Sequence, residues 1–91
     1  MRTPDTTRRF RKDVERAERR GKDLSKLREA IELLCAGHPL PARYRDHALL
    51  GDLKGFRDCH LEPDWLWIYA ISADNRSLTL IRTGSHSDLF G

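Results

Sequence analysis

The sequence predicts an α+β domain, two N-terminal helices packed on an antiparallel meander of strands. Three observations predict it. The first half carries apolar residues at helical spacing between capping and stop residues. The second half carries three short apolar runs separated by turn residues. At 91 residues the chain has enough surface to bury for one core, so residues 1–91 are expected to form a single domain.

The elements follow in order. Thr6 or Thr7 can cap a first helix, Phe10, Val14 and Ala17 recur at i, i+4 and i+7, and Gly21 supplies a stop. Asp23 caps a second helix, whose Leu24, Leu27, Ile31 and Leu34 form a stronger stripe that Gly37 and Pro39 end. Both stripes read as core. A connection rich in proline, glycine and charge then runs from His38 to Asp52, and connections of that length are uncommon unless functional. Strands are predicted over Leu53–Leu61, Leu66–Ile71 and Ser77–Thr83, with turns at Glu62-Pro63-Asp64 and Ala73-Asp74-Asn75-Arg76. In the middle strand Leu66, Ile68 and Ala70 point to one face and Trp65, Trp67, Tyr69 and Ile71 to the other. The helix pair is expected to cover one face and aromatics to line part of the other.

Charge divides unevenly. The chain holds 17 Lys+Arg and 14 Asp+Glu, a net +3, of which residues 1–45 supply +6 and residues 46–91 supply −3. Most of the basic excess lies on the first helix at Arg8, Arg9, Arg11, Lys12, Arg16, Arg19 and Arg20. A solvated helix face explains such a run; docking on a polyanion such as ribosomal or messenger RNA also does, because cations near phosphates release counterions. The helix is expected to lie away from the histidines described next. No apolar run resembles a signal peptide or a membrane span, which predicts a cytoplasmic protein without a membrane partner. Cys35 and Cys59 lack CxxC spacing and read as reduced, buried thiols.

An antiparallel meander brings the end of its first strand, the start of its second and the end of its third to one edge. His60, Trp65 and Arg82 therefore converge, and Thr83-Gly84-Ser85 lets His86 and Phe90 fold back over them. Metal-free RNA cleavage needs a base for the 2′-OH, a cation for the phosphorane and an acid for the 5′-oxygen. Histidine performs both proton transfers near neutral pH, arginine matches phosphate oxygens with a charge that does not titrate away, and aromatics stack on splayed bases. Taken singly, each histidine reads as structural, and His38 beside Pro39 keeps that reading. Several histidines beside one arginine reverse it. Trp65 and Phe90 are expected as stacking surfaces, Trp67, Tyr69 and Phe56 as core. Asp64 either orients a histidine or shapes its turn, and Arg57 faces phosphate or pairs with a helix carboxylate. His47, His60, His86 and Asp64 match no compact zinc motif and Arg82 would repel a cation, so no metal or other cofactor is expected.

At these residues the chain resembles the YafQ-type branch of the RelE superfamily of bacterial toxins. The resemblance rests on a basic helix, a leucine helix, DH..L.G..KG.RD.H.EPDW..IY and a terminal RTG.H..LFG, and covers nearly all 91 residues. It implies a RelE-like fold with a twisted, mainly antiparallel sheet and a short strand before the first helix. It implies a ribosome-dependent endoribonuclease that cuts mRNA in the ribosomal A site and is silenced by a cognate antitoxin, in a complex that binds operator DNA. The family's functional positions fall on His47, His60, Asp64, Trp65, Arg82, His86 and Phe90. His47 is implied by the resemblance alone, since its place in the chain does not bring it to the edge. Arg82 is then expected to steady the phosphate, His86 to act as acid, and His60 or His47, oriented by Asp64, as base, with the histidine roles open to permutation. The alternatives are a basic module that docks on RNA, the ribosome or a protein such as gyrase without cleaving, and an interaction protein that only binds its antitoxin. Members that poison gyrase lack this histidine set, which favours RNA cleavage.

Overall fold

The computed structural model describes residues 1–91. Thr7 caps helix α1 (Arg8–Arg19), its side chain accepting from the Phe10 backbone N–H, and Gly21 turns the chain away with φ 76°. Asp23 caps helix α2 (Leu24–Cys35) by accepting from Ser25 N–H, and Gly37 at φ 87° closes it. Phe10 and Ala17 of α1 and Leu27, Ala30 and Leu34 of α2 are buried in one cluster with Tyr44, Trp65, Trp67, Tyr69, Leu78 and Leu80. The helical stripes are therefore core, as their spacing predicts.

The sheet has five strands: β1 (Thr3–Thr6), β2 (His47–Ala48), β3 (Arg57–Glu62), β4 (Trp65–Ile71) and β5 (Ser77–Gly84), in the order β1-β5-β4-β3-β2. β3, β4 and β5 form the expected antiparallel meander, and β1 adds in parallel to β5. A third helix, α3 (His86–Phe90), follows β5. Its Ser85-x-x-Asp88 capping box went unread in the sequence.

Three expectations are corrected. The first meander strand begins at Arg57 rather than Leu53, because Gly51 and Gly55 take φ 67° and 98° and fold residues 51–56 into turns. Within the connection from His38 to Asp52, residues 47–48 form β2, which pairs His47 with Asp58. The face lined by Trp65, Trp67 and Tyr69 is the one the helices cover, so the aromatics are core and the opposite face carries Leu66 and Ile68.

One irregularity aims a side chain. Ile68 pairs with Arg82 but its neighbour Tyr69 pairs with Leu80, so Ile81 is an extra residue in β5. This bulge reverses the alternation. Leu78, Leu80 and then Thr83 face the helices, while Arg82 turns to the face of Ile68.

Candidate active site

The face opposite α1 and α2 gathers the polar residues. Register places His47 beside Asp58 and His60 beside Leu66, with Asp58 and His60 two residues apart on one side of β3. β2 thus returns His47 to the site along the edge of β3, as the family resemblance implies. The His47 Nδ1 lies 2.9 Å from the Arg45 carbonyl and 3.3 Å from Asp58 Oδ1. Arg45 holds that carbonyl in place from a left-handed conformation, φ 49°. The His60 and His86 ring centroids lie 5.6 Å apart. His60 Nδ1 is buried without a partner.

Asp64 accepts from the His86 backbone N–H at 2.9 Å and meets His86 Nδ1 at 2.5 Å. Of the two readings open for Asp64, orientation of a histidine is the one observed, and the histidine is His86 rather than His60 or His47. These bonds hold the Asp64 carboxyl below its usual range, the backbone bond contributing most. A carboxylate at Nδ1 fixes the tautomer and points Nε2 outward.

Arg82 reaches the edge of the sheet and is tied to Asp13 of α1, Nε to Oδ2 at 2.7 Å and Nη2 to Oδ1 at 3.2 Å. Its Nη1 takes no partner within the chain, so one end of the guanidinium is left unpaired. Helix α1 consequently abuts the site and does not lie away from it, a correction with a physical reason: beyond Leu80, β5 has no partner on its β1 side, and α1 side chains satisfy its backbone there. Asp13 accepts from Thr83 N–H at 3.2 Å and Arg16 donates to the Thr83 carbonyl at 3.2 Å.

Two further expectations change. Trp65 is 1% exposed and donates Nε1–H to Thr83 Oγ1 at 2.9 Å, so its ring packs in the core and is unavailable to a base. Its place at the start of β4 puts it on the face of Trp67, whatever its closeness to the turn. Arg16 and Arg20 are engaged with Asp88 and so are not free docking cations. Arg8, Arg9, Lys12 and Arg19 lie exposed along the same helix, while Arg11 donates to Thr6. Phe90 is 48% exposed on α3. Arg57 pairs with Asp46 of the connection, through Nε and Nη2.

Asp58 went unread in the sequence. It is 4% exposed, its Oδ1 has no hydrogen-bond partner, and burial pushes its pKa up while His47, His60 and His86, in that order, draw it back. The three imidazoles therefore act electrostatically on one buried carboxylate, His47 from 3.3 Å. The signal was present: period-two alternation places Asp58 on the face of His60. The two cysteines are free, and burial raises both thiols, leaving Cys59 in particular an inert core residue. No group of three or more His, Cys, Asp or Glu is disposed to hold a metal ion. No helix is long and apolar enough to cross a membrane.

Comparison with known proteins agrees along the whole chain. The family described as "Bacterial toxin of type II toxin-antitoxin system, YafQ" matches residues 2–91. An mRNA interferase toxin YafQ of Escherichia coli strain K12 is 47% identical over 83 residues, 90% of this chain and 88% of the relative. The toxin in a crystal structure of the E. coli DinJ–YafQ complex superposes with a TM-score of 0.91 at 43% identity, covering 100% of both chains. A metal-bound toxin from Helicobacter pylori superposes with a TM-score of 0.91 at 43% identity, covering 99% of this chain and 100% of that one. The α+β fold is that of these toxins, and the chain belongs to the YafQ family of toxins of type II toxin–antitoxin systems.

Proposed function

We propose that this chain is an endoribonuclease that cuts translated mRNA on the ribosome, without a metal, and that an antitoxin protein silences it. The family membership supports the toxin role, and the relatives of the same family are an mRNA interferase and the toxin of an antitoxin complex. The single observation that carries the chemistry is the edge at which His60 and His86 lie 5.6 Å apart, His86 held by Asp64, with Arg82 anchored on the same face of the sheet.

His60, whose Nδ1 is buried, takes the proton of the 2′-OH through Nε2. The 2′-oxygen attacks phosphorus and the bond to the 5′-oxygen breaks. His86 Nε2 gives its proton to that 5′-oxygen, leaving a 2′,3′-cyclic phosphate and a 5′-hydroxyl. The free Nη1 of Arg82 steadies the charge that gathers on the phosphate oxygens. Asp58, buried beneath the histidines, supplies a fixed negative charge for the imidazolium formed in each half of the cycle, and His47 lines the same pocket of charge. Phe90 offers a ring for a base to stack on. Arg8, Arg9, Lys12 and Arg19 supply the basic face for ribosomal RNA.

The test is cleavage of a defined message on programmed ribosomes with mapping of the cut. Cuts in the A-site codon, absent from the same message free in solution, are the expected result. Cleavage should persist with a chelator present at magnesium levels that keep ribosomes intact. Loss of cleavage on removal of transition metals would reverse the metal-free assignment and bring the metal-bound relative to the fore.

A further inference from the structure

Two of the groups assigned to the reaction, Arg82 on β5 and His86 on α3, are both held from α1 by one alternating row of charges. Arg82 of β5 pairs with Asp13, Asp13 with Arg16 at 3.1 Å, Arg16 with Asp88 at 3.6 Å, and Asp88 of α3 with Arg20 at 2.7 Å. We propose that Asp13, Arg16, Arg20 and Asp88 are positioning residues for the reaction: Asp13 sets the guanidinium of Arg82, and the Asp88 pairs latch α3 to α1 and so set His86. This rests on the functional reading above.

Three observations support it independently of one another. Helix α3 is five residues long and has no buried residue, so its own packing holds it weakly. Asp88 does two tasks, capping α3 by accepting from Ser85 N–H at 2.9 Å and reaching both arginines. Its carboxyl lies well below the usual range, the Arg20 hydrogen bond contributing most and Ser85 next. Gly84, the last residue of β5, lies under the latch: a Cβ there would meet Arg16 Nη2 and Asp88 Cβ, each at 2.8 Å. Its backbone does not require glycine for a positive φ, so what demands glycine at this point is the close approach of α1 and α3. A groove of about 310 Å³ between the end of α1 and this edge is lined by Arg16, Arg20 and Lys22, and each is already paired with a carboxylate. The cations here are therefore committed to holding the fold's edge together.

A docking role for Arg16 and Arg20 predicts different kinetics from a latch. Loss of docking raises the ribosome concentration needed for half-maximal cleavage and leaves the saturating rate alone. Loss of the latch misplaces His86 and lowers the saturating rate, since displacement of a reacting group by about 1 Å costs up to roughly a hundredfold. The experiment compares saturating single-turnover rates and amide exchange of α3 for Arg20→Gln, Asp88→Asn, the two combined, and Gly84→Ala, with Arg8→Gln as the control that makes the same charge change as Arg20→Gln. Asp88→Asn keeps an acceptor for Ser85 N–H and so keeps the cap. Arg20→Gln alters an exposed side chain whose loss leaves the core untouched.

Each latch variant should slow the saturating rate about tenfold and speed exchange at the Leu89 and Gly91 amides several-fold, and Arg20→Gln with Asp88→Asn should be no worse than either alone. The control should alter only half-saturation. An unchanged saturating rate in Arg20→Gln and Asp88→Asn, or α3 exchange equal to that of the parent, would overturn the proposal. The exchange measurement decides the latch even if the parent chain cleaves no RNA, which would be a failure of the functional reading and not of the latch.

Discussion

Asp58 is the residue whose role is most open to measurement. Its pKa is raised in the folded state, so folding binds its proton more tightly than the unfolded chain does. Between the ordinary carboxylate value and the raised one, the folded state holds more protons, and stability falls as pH rises through that window. Asp58→Asn removes the buried charge. It should raise stability by about 0.5–1 kcal/mol at pH 7, with the gain vanishing near pH 3, while slowing cleavage. Equal melting temperatures for parent and variant at pH 7 would show that Asp58 is solvated or fully paired and carries no stored cost. The histidines separate by kinetics. His60→Ala and His86→Ala should each slow the rate by roughly a hundredfold or more. An unchanged rate in His60→Ala would hand the base role to His47. Sequence reasoning singled out His60 and Arg82 by residue type and strand position and His86 by the turn after the last strand, whereas His47 came from the family resemblance alone. It passed over Asp13 and Asp58, because a carboxylate on an apolar stripe or in a strand has no motif; each reads as a surface residue until its partners, Arg82 and Thr83 for Asp13, come from about seventy residues away. Trp65 was misread for the opposite reason: nearness to a turn outweighed alternation, which places it among the core aromatics.

At the scale of elements, α1 carries two kinds of cation. Arg16 and Arg20 face β5 and α3, whereas Arg8, Arg9, Lys12 and Arg19 face solvent. Replacing the four solvent-facing cations by Gln should weaken ribosome association and flatten its dependence on salt, as fewer counterions are released, with cleavage by bound enzyme little changed. Equal salt slopes for variant and parent would return these residues to a plain solvated face. The latch should be insensitive to mild acid. A carboxylate with a depressed pKa gives its full contribution above the ordinary carboxylate value and loses it only as pH falls through the depressed one, so Asp88 stays ionised well below pH 4. Both long helices and the meander were legible, because capping residues and stripes are local signals. β1, β2 and α3 were less so: β1 is four residues paired with β5, β2 is two residues paired with β3, and α3 is five residues held by α1. Elements that short owe their form to partners distant in sequence. The family resemblance implied β1 and the return of His47; nothing implied the latch.

On the scale of the whole molecule, one layer of helices buries the aromatic face of the sheet and leaves the other face for chemistry, with α3 folded across its end. The proposed function therefore predicts that binding and catalysis are separable. Expressed alone, the chain should halt translation and growth, while His60→Ala/His86→Ala should be harmless and still bind the antitoxin, because neither side chain contributes to the core. A double variant as toxic as the parent would mean that toxicity comes from binding alone. The central claim, histidine-driven attack by the 2′-OH, is tested most directly by the chemical identity of the new 3′ end after a single turnover on programmed ribosomes. The account predicts a 2′,3′-cyclic phosphate, opening to a 3′-phosphate, opposite a 5′-hydroxyl. A 3′-hydroxyl opposite a 5′-phosphate would contradict it, since water and not the neighbouring ribose would then have been the nucleophile.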